Sequence, residues 1–180
     1  MPNIGGFEHL YGKTKVVYAS SADWLTLNGA YSSGIHDALL IHTTTENLST
    51  FKYTDTVLTA NYENRLATSI TANADATIWT VKLRENVKFH DGSTVTAKDV
   101  AYVFERIINP DVKSNWRSSV RGLKPVVVDE STVRLSSEKP LPTLLQTVAR
   151  AGISPRAHVE NNDEAYATTN PMGTGPYKFV

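Results

Sequence analysis

"VKFHDGSTVTAKDVAYVFERI", residues 87–107, sets a histidine beside an aspartate at a glycine turn and runs straight into an amphipathic helix. Val87 and Phe89 flank Lys88 as alternating strand residues. Asp91-Gly92 is a turn dipeptide, since glycine takes positive φ without steric cost and a short aspartate bonds its own backbone. Thr96 stands where a helix N-cap belongs, and Asp99 three residues on completes a capping-box pattern, with Asp in place of the usual Glu. Val100, Val103, Phe104, Ile107 and Ile108 recur at helical spacing as one apolar stripe, which Asn109-Pro110 ends. Each residue thus has a structural task. A metal pair or an acid–base couple at His90-Asp91 would need further ligands, and His9, His36, His42 and His158 share no HExxH or metal-like spacing with it. His90 is expected to be a turn residue bonded to backbone.

Outward from this stretch the pattern repeats. "LATSITA" (66–72) and "TIWTVKLR" (77–84) alternate as paired strands around "NADA", and "KPVVV" (124–128) with "STVRLSS" (131–137) does the same around Asp129-Glu130. "LPTLLQTVARA" (141–151) predicts a second helix, with Leu141, Leu144, Leu145 and Val148 on one face. Nearer the start, "TKVVYAS" (14–20) reads as a strand. "IHDALLIHTTTENL" (35–48) reads as a helix that Thr43-Thr44-Thr45 should end, because β-branched residues lower helix propensity. Residues 49–65 fit neither period. The order β–α–ββ–α–ββ–α–β, with hairpins rather than crossovers, predicts an α+β fold of mixed or antiparallel sheets with packed helices.

Composition narrows the function classes. The 180 residues suffice for one ordinary domain, 41% are hydrophobic, 20% are charged, and the formal net charge is zero. Zero net charge gives no electrostatic reason to expect nucleic acid or an anionic membrane as partner. No apolar run approaches the ~18 residues of a membrane span. The absence of cysteine excludes disulfides, thiolate nucleophiles and cysteine metal sites. "MPNIGGFEHLYGKTK" lacks the apolar stretch of a signal peptide. At the other end "GTGPYKFV" reads as a strand barely begun, whereas termini are usually polar and frayed; a chain cut from a longer protein is expected.

"WTVKLRENVKFHDGSTVTAKDVAYVFERI" (79–107) resembles the signature of the family 5 extracellular solute-binding proteins, the peptide-, dipeptide- and nickel-binding receptors of ABC importers. "NRLATSI" (64–70), "VVVDESTVRLSSEKPLPTLL" (126–145) and "NPMGTGPYKFV" (170–180) resemble further segments of that family in the same order. Residues 41–65 depart from it, being longer and more polar than the family's usual turn. The resemblance implies the N-terminal third of a two-lobed periplasmic binding protein of type II-like fold. It divides the chain into 1–14, a leader or expression-derived segment; 15–48, the first strand and helix of lobe I; 49–170, a hairpin–helix subdomain; and 171–180, a return strand.

That resemblance also implies ligand contacts. The loop 20–34 carries Trp24 and Tyr31, aromatics with polar handles suited to a pocket, or equally to anchoring the loop. By likeness to the nickel-binding branch Trp116 faces the cleft, although packing on the preceding helix would also explain it. Arg150 corresponds to an arginine that reaches ligand carboxylates, for which a planar guanidinium is well shaped; complementing a helix C-terminus is its plainer role. Gly173, Thr174 and Gly175 read as turn geometry.

The implied function is capture of short peptides by a periplasmic protein or cell-surface lipoprotein, with delivery to ABC permease membrane subunits. No catalytic residue, metal or cofactor is expected, nor nucleic acid or a direct membrane span. A metal chelate, nickel above all, is the alternative ligand. A small-molecule sensor domain of a cytoplasmic transcriptional regulator is an alternative role, and an enzyme built from scattered Ser, His and Asp is a third class.

Overall fold

The computed structural model describes residues 7–9, 15–16, 27–28, 35–54, 57–162 and 164–180. Its largest sheet is built from the two hairpins foreseen above. Strands β5 (Ala67–Ala72) and β6 (Ile78–Leu83) pair antiparallel, as do β7 (Lys124–Val127) and β8 (Thr132–Ser136), and β6 joins β8 to give the order β5-β6-β8-β7. In that register Trp79 faces Leu135 and Val81 faces Val133. Alternate residues of β6 and β8 are buried, the period of two that a half-covered sheet requires.

Helix α2 (Ala97–Ile108) covers the buried face. Val100, Phe104 and Ile107 from its apolar stripe are fully buried with Val81, Val133 and Leu135 in the main core. The turn before α2 follows the sequence: Gly92 has φ +87°, and the Asp91 carboxylate accepts from the Ser93 N–H at 2.9 Å and its hydroxyl at 2.6 Å. Asp99 Oδ2 accepts from the Thr96 N–H at 2.9 Å and hydroxyl at 2.7 Å, so the capping-box residues do meet. The other oxygen of Asp99 accepts from the Arg156 N–H at 2.8 Å. One buried carboxylate therefore serves the starts of two helices, α2 and the short α4 (Arg156–Glu160).

Helix α1 (Ile35–Thr44) ends inside the threonine run, as expected. The hydroxyls of Thr43, Thr44 and Thr45 bond back to the carbonyls of Leu40 and Ile41 at that end. Two elements differ from the sequence reading. Residues 49–64, unassigned from sequence, form a separate hairpin of β3 (Ser49–Thr54) and β4 (Val57–Asn64), in which Phe51 faces Tyr62. The second predicted helix contracts to α3 (Leu144–Val148), because Pro142 pushes the preceding Leu141 out of the α region. A further short helix, α5 (Glu164–Thr169), precedes the last strand.

That last strand, β9 (Tyr177–Phe179), pairs antiparallel with β1 (Phe7–His9), which also pairs with β2 (Lys15–Val16). The segment leading into β9 is wedged against the end of α1. A Cβ on Gly175 would lie 2.5 Å from the Thr43 carbonyl oxygen and 2.6 Å from the Thr44 carbonyl carbon, and one on Gly173 would lie 2.5 Å from the Thr44 oxygen. Those neighbours are backbone and cannot swing aside. The Gly175 N–H meanwhile donates to the Thr44 carbonyl at 3.0 Å. Gly175→Ala should therefore destabilise the protein by about 1–3 kcal/mol or more through overpacking, read as a lower urea midpoint with an unchanged slope.

Candidate functional site

His90 occupies the turn between β6 and α2, and its partners lie far away in sequence. Its backbone N–H donates to the Gly173 carbonyl at 3.0 Å. Its ring Nε2 lies 2.9 Å from the Gly175 carbonyl oxygen; a carbonyl can only accept, so Nε2 carries the proton. Nδ1 is buried and has no hydrogen-bond partner. The expectation of a backbone-bonded turn residue holds, with a return segment as the partner in place of the local turn. Among the described residues no group of three or more His, Cys, Asp or Glu is placed to hold a metal ion.

Burial holds the His90 imidazole below its ordinary value, and Lys178 lowers it further; the Gly175 carbonyl and Asp91 pull the other way without prevailing. Protonation would put a second N–H at buried Nδ1, where no acceptor waits. For Asp91, partial burial pulls upward, but the Ser93 hydroxyl and N–H outweigh it and hold the carboxyl below the usual range.

The same return segment reaches a second polar group. Thr174 Oγ1 donates to Glu46 at 2.9 Å, and Arg84 makes an ion pair with that carboxylate at 3.1 Å. Beyond Glu46, Asn47 pairs with Gly152 in an isolated antiparallel bridge. Asn47 Nδ2 donates to the Ala149 carbonyl at 2.7 Å, and the Ile153 N–H donates to the Glu46 carbonyl at 3.0 Å. The stretch 149–153 is thus tied to the root of β3.

Arg150 stands in that stretch. Its side chain is exposed, and its guanidinium carbon lies over the Phe51 ring, 5.1 Å from the centroid. Phe51 in turn packs against Tyr62, with ring centroids 5.2 Å apart. Among the described residues no carboxylate pairs with Arg150, in contrast to Arg84 with Glu46 and Arg156 with Glu160. Trp116 is half-buried and packs against the main core. The 3-10 turn Arg117–Val120 that follows it lies against α3, so Trp116 and Arg150 sit on neighbouring segments. Trp24 and Tyr31 lie outside the described residues.

Sequence reading missed Glu46, Asn47, Phe51 and Tyr62. The usable signal was the pair of aromatics on either side of Thr54-Asp55, a turn-like centre, but polar residues on both strand faces hid the alternation.

With this geometry in view, the comparisons decide the family. The model described as "Bacterial extracellular solute-binding proteins, family 5 Middle" matches residues 61–180. The chain belongs to this family. Within family 5, it is 29% identical over 171 residues to a probable D,D-dipeptide-binding periplasmic protein of Escherichia coli (strain K12), covering 92% of this chain and 33% of that relative. Among solved structures it is similar to the PBP AgaA from A. tumefacien R10 in complex with agropinic acid. That match has a TM-score of 0.79 and 29% identity, covering 89% of this chain and 32% of the other. It is also similar to NikZ from Campylobacter jejuni in complex with Ni(L-His), with a TM-score of 0.76 and 28% identity, covering 88% and 31%. The chain spans about a third of the length of these family 5 relatives. The expected α+β architecture, a part of the two-lobed fold, is the one these structures share.

Because the folded His90 titrates below the unfolded value of about 6.5, its contribution is complete above that pH and is lost as pH falls through the lower folded value. Urea unfolding at pH 7.5 should find His90→Ala less stable by about 1 kcal/mol. The gap should shrink by pH 5.5, and a gap that is constant or wider there would count against this assignment.

Proposed function

We propose that this chain forms part of the ligand-capturing surface of an ABC importer's substrate-binding component. It binds short peptides outside the cytoplasm, leaves them chemically unchanged, and serves delivery to the membrane permease subunits. The observation that carries this reading is Arg150. An arginine projects from a stretch fixed by Asn47 and Glu46, rests on an aromatic ring, and has no carboxylate partner among the described residues. A planar guanidinium with unused donors suits a ligand carboxylate, and every peptide with a free C-terminus supplies one.

The family supports the same reading, since a relative is named for a D,D-dipeptide. Trp116, Trp24 and Tyr31 are the further ligand contacts in this proposal, with aromatic surface to cover the apolar parts of a bound peptide. Binding without chemistry needs no nucleophile or base, and His90 has its one ring N–H committed to the Gly175 carbonyl. A nickel chelate is the competing ligand, favoured by the likeness to NikZ with Ni(L-His).

Calorimetry on the complete gene product carrying this sequence, against di- and tripeptides and against nickel–L-histidine, separates the two. Peptides should bind in the micromolar range or tighter, with nickel–histidine silent. The reverse result would assign the metal chelate, and silence from both would end the receptor reading. Arg150→Ala should weaken binding of a free-carboxylate dipeptide by about ten- to a hundredfold, the worth of one hydrogen bond to a charged group.

A further inference from the structure

The hairpin β3–β4 lies in residues 41–65, the segment that departs from the family pattern, and it brings Phe51, packed against Tyr62, under Arg150. The backbone around Arg150 is fixed from both sides. The Arg150 and Ala151 N–H groups donate to the Thr147 carbonyl at 3.0 and 2.8 Å, and Asn47 holds the Ala149 carbonyl and bridges Gly152. The side chain, being long and exposed, would otherwise sample many rotamers. Contact with the Phe51 ring selects among them, and Tyr62 backs that ring from the partner strand.

This contact uses none of the guanidinium N–H groups. Arginine has five such donors, and among the described residues none is taken by a carboxylate. Elsewhere the fold ties arginines down through hydrogen-bonding partners: Glu46 for Arg84, Glu160 for Arg156 (which also lies over Tyr102), the Ile108 carbonyl for Arg117 and Asn28 for Arg106. At Arg150 it supplies an aromatic platform, which orients a cation while leaving its hydrogen-bonding edge available.

We infer that β3–β4 is a specificity element, in which Phe51, backed by Tyr62, is a positioning residue that aims Arg150 at a ligand carboxylate and makes the site prefer a free acid over its amide. This rests on the peptide-binding reading above. Arg150 is the contact; Phe51 acts through it. A merely structural Phe51, pinning the hairpin to α3, would move the affinities for acid and amide together. A positioning Phe51 moves only the acid.

The probes are L-alanyl-L-alanine and its C-terminal amide, titrated against the complete gene product by calorimetry, with thermal melting of each variant as a check on folding. The wild type should prefer the acid. Phe51→Leu should reduce that preference by about two- to fivefold, the range expected for an exposed cation–π contact, with the affinity for the amide unchanged. Phe51→Tyr should restore it. Peptide binding with equal affinity for acid and amide, or Phe51→Leu with its preference intact, would overturn this inference alone. A parallel loss for both probes would make Phe51 structural and overturn it as well. Should neither probe bind the wild type, the peptide-receptor reading itself falls and takes this inference with it.

Discussion

The fold turns on a close approach between backbones, the wedging of Gly173–Gly175 between the end of α1 and the turn at His90. On one side Gly175 comes so near Thr43 and Thr44 that no side chain fits. On the other, His90 holds the carbonyls of both glycines, one through its backbone N–H and one through its ring. Each hydrogen bond is worth about 1 kcal/mol net. Their effect is positional: they bring three segments, remote in sequence, into one fixed arrangement. Thr174 carries the arrangement on to Glu46, and from there the bridge at Asn47 and Gly152 fixes the base of Arg150. The ligand contact proposed above thus takes its position from a wedge of glycines that need never touch ligand.

The main sheet with α2 supplies the rigid body against which this arrangement is held. Its core is ordinary in composition and wholly buried at Phe104, Ile107, Val81 and Leu135. Asp99 links that body to the later helices by accepting from both Thr96 and Arg156. The Glu46–Arg84 pair is partly exposed, so its energy is small; its role is to keep the Glu46 carboxylate where Thr174 can reach it.

How legible this was in the sequence depended on whether the determining contacts were local. Residues 87–108 could be read almost residue by residue, because a turn dipeptide, a cap and an apolar stripe are set by near neighbours. The two hairpins of the main sheet were legible for the same reason. Helix α1 was legible too: it ends inside the Thr43–Thr45 run, where the hydroxyls bond back to the Leu40 and Ile41 carbonyls. Hairpin β3–β4 was invisible because its strands carry polar residues on both faces. At the candidate site Arg150 was singled out from the sequence only through family resemblance. Phe51, its platform, was not foreseen at all, since the contact joins residues far apart in the chain. His90 was legible as a turn residue bonded to backbone, yet its partner, Gly175, lies 85 residues away, beyond the reach of any local pattern.

The central claim is that this scaffold holds Arg150 on Phe51 to receive a ligand's carboxylate. A crystal structure of the complete gene product with bound L-alanyl-L-alanine tests it most directly. The account predicts a peptide carboxylate oxygen about 2.7–2.9 Å from an Arg150 guanidinium nitrogen, with the Phe51 ring still beneath the cation. A peptide bound with its carboxylate held elsewhere, and Arg150 turned into solvent away from Phe51, would contradict it.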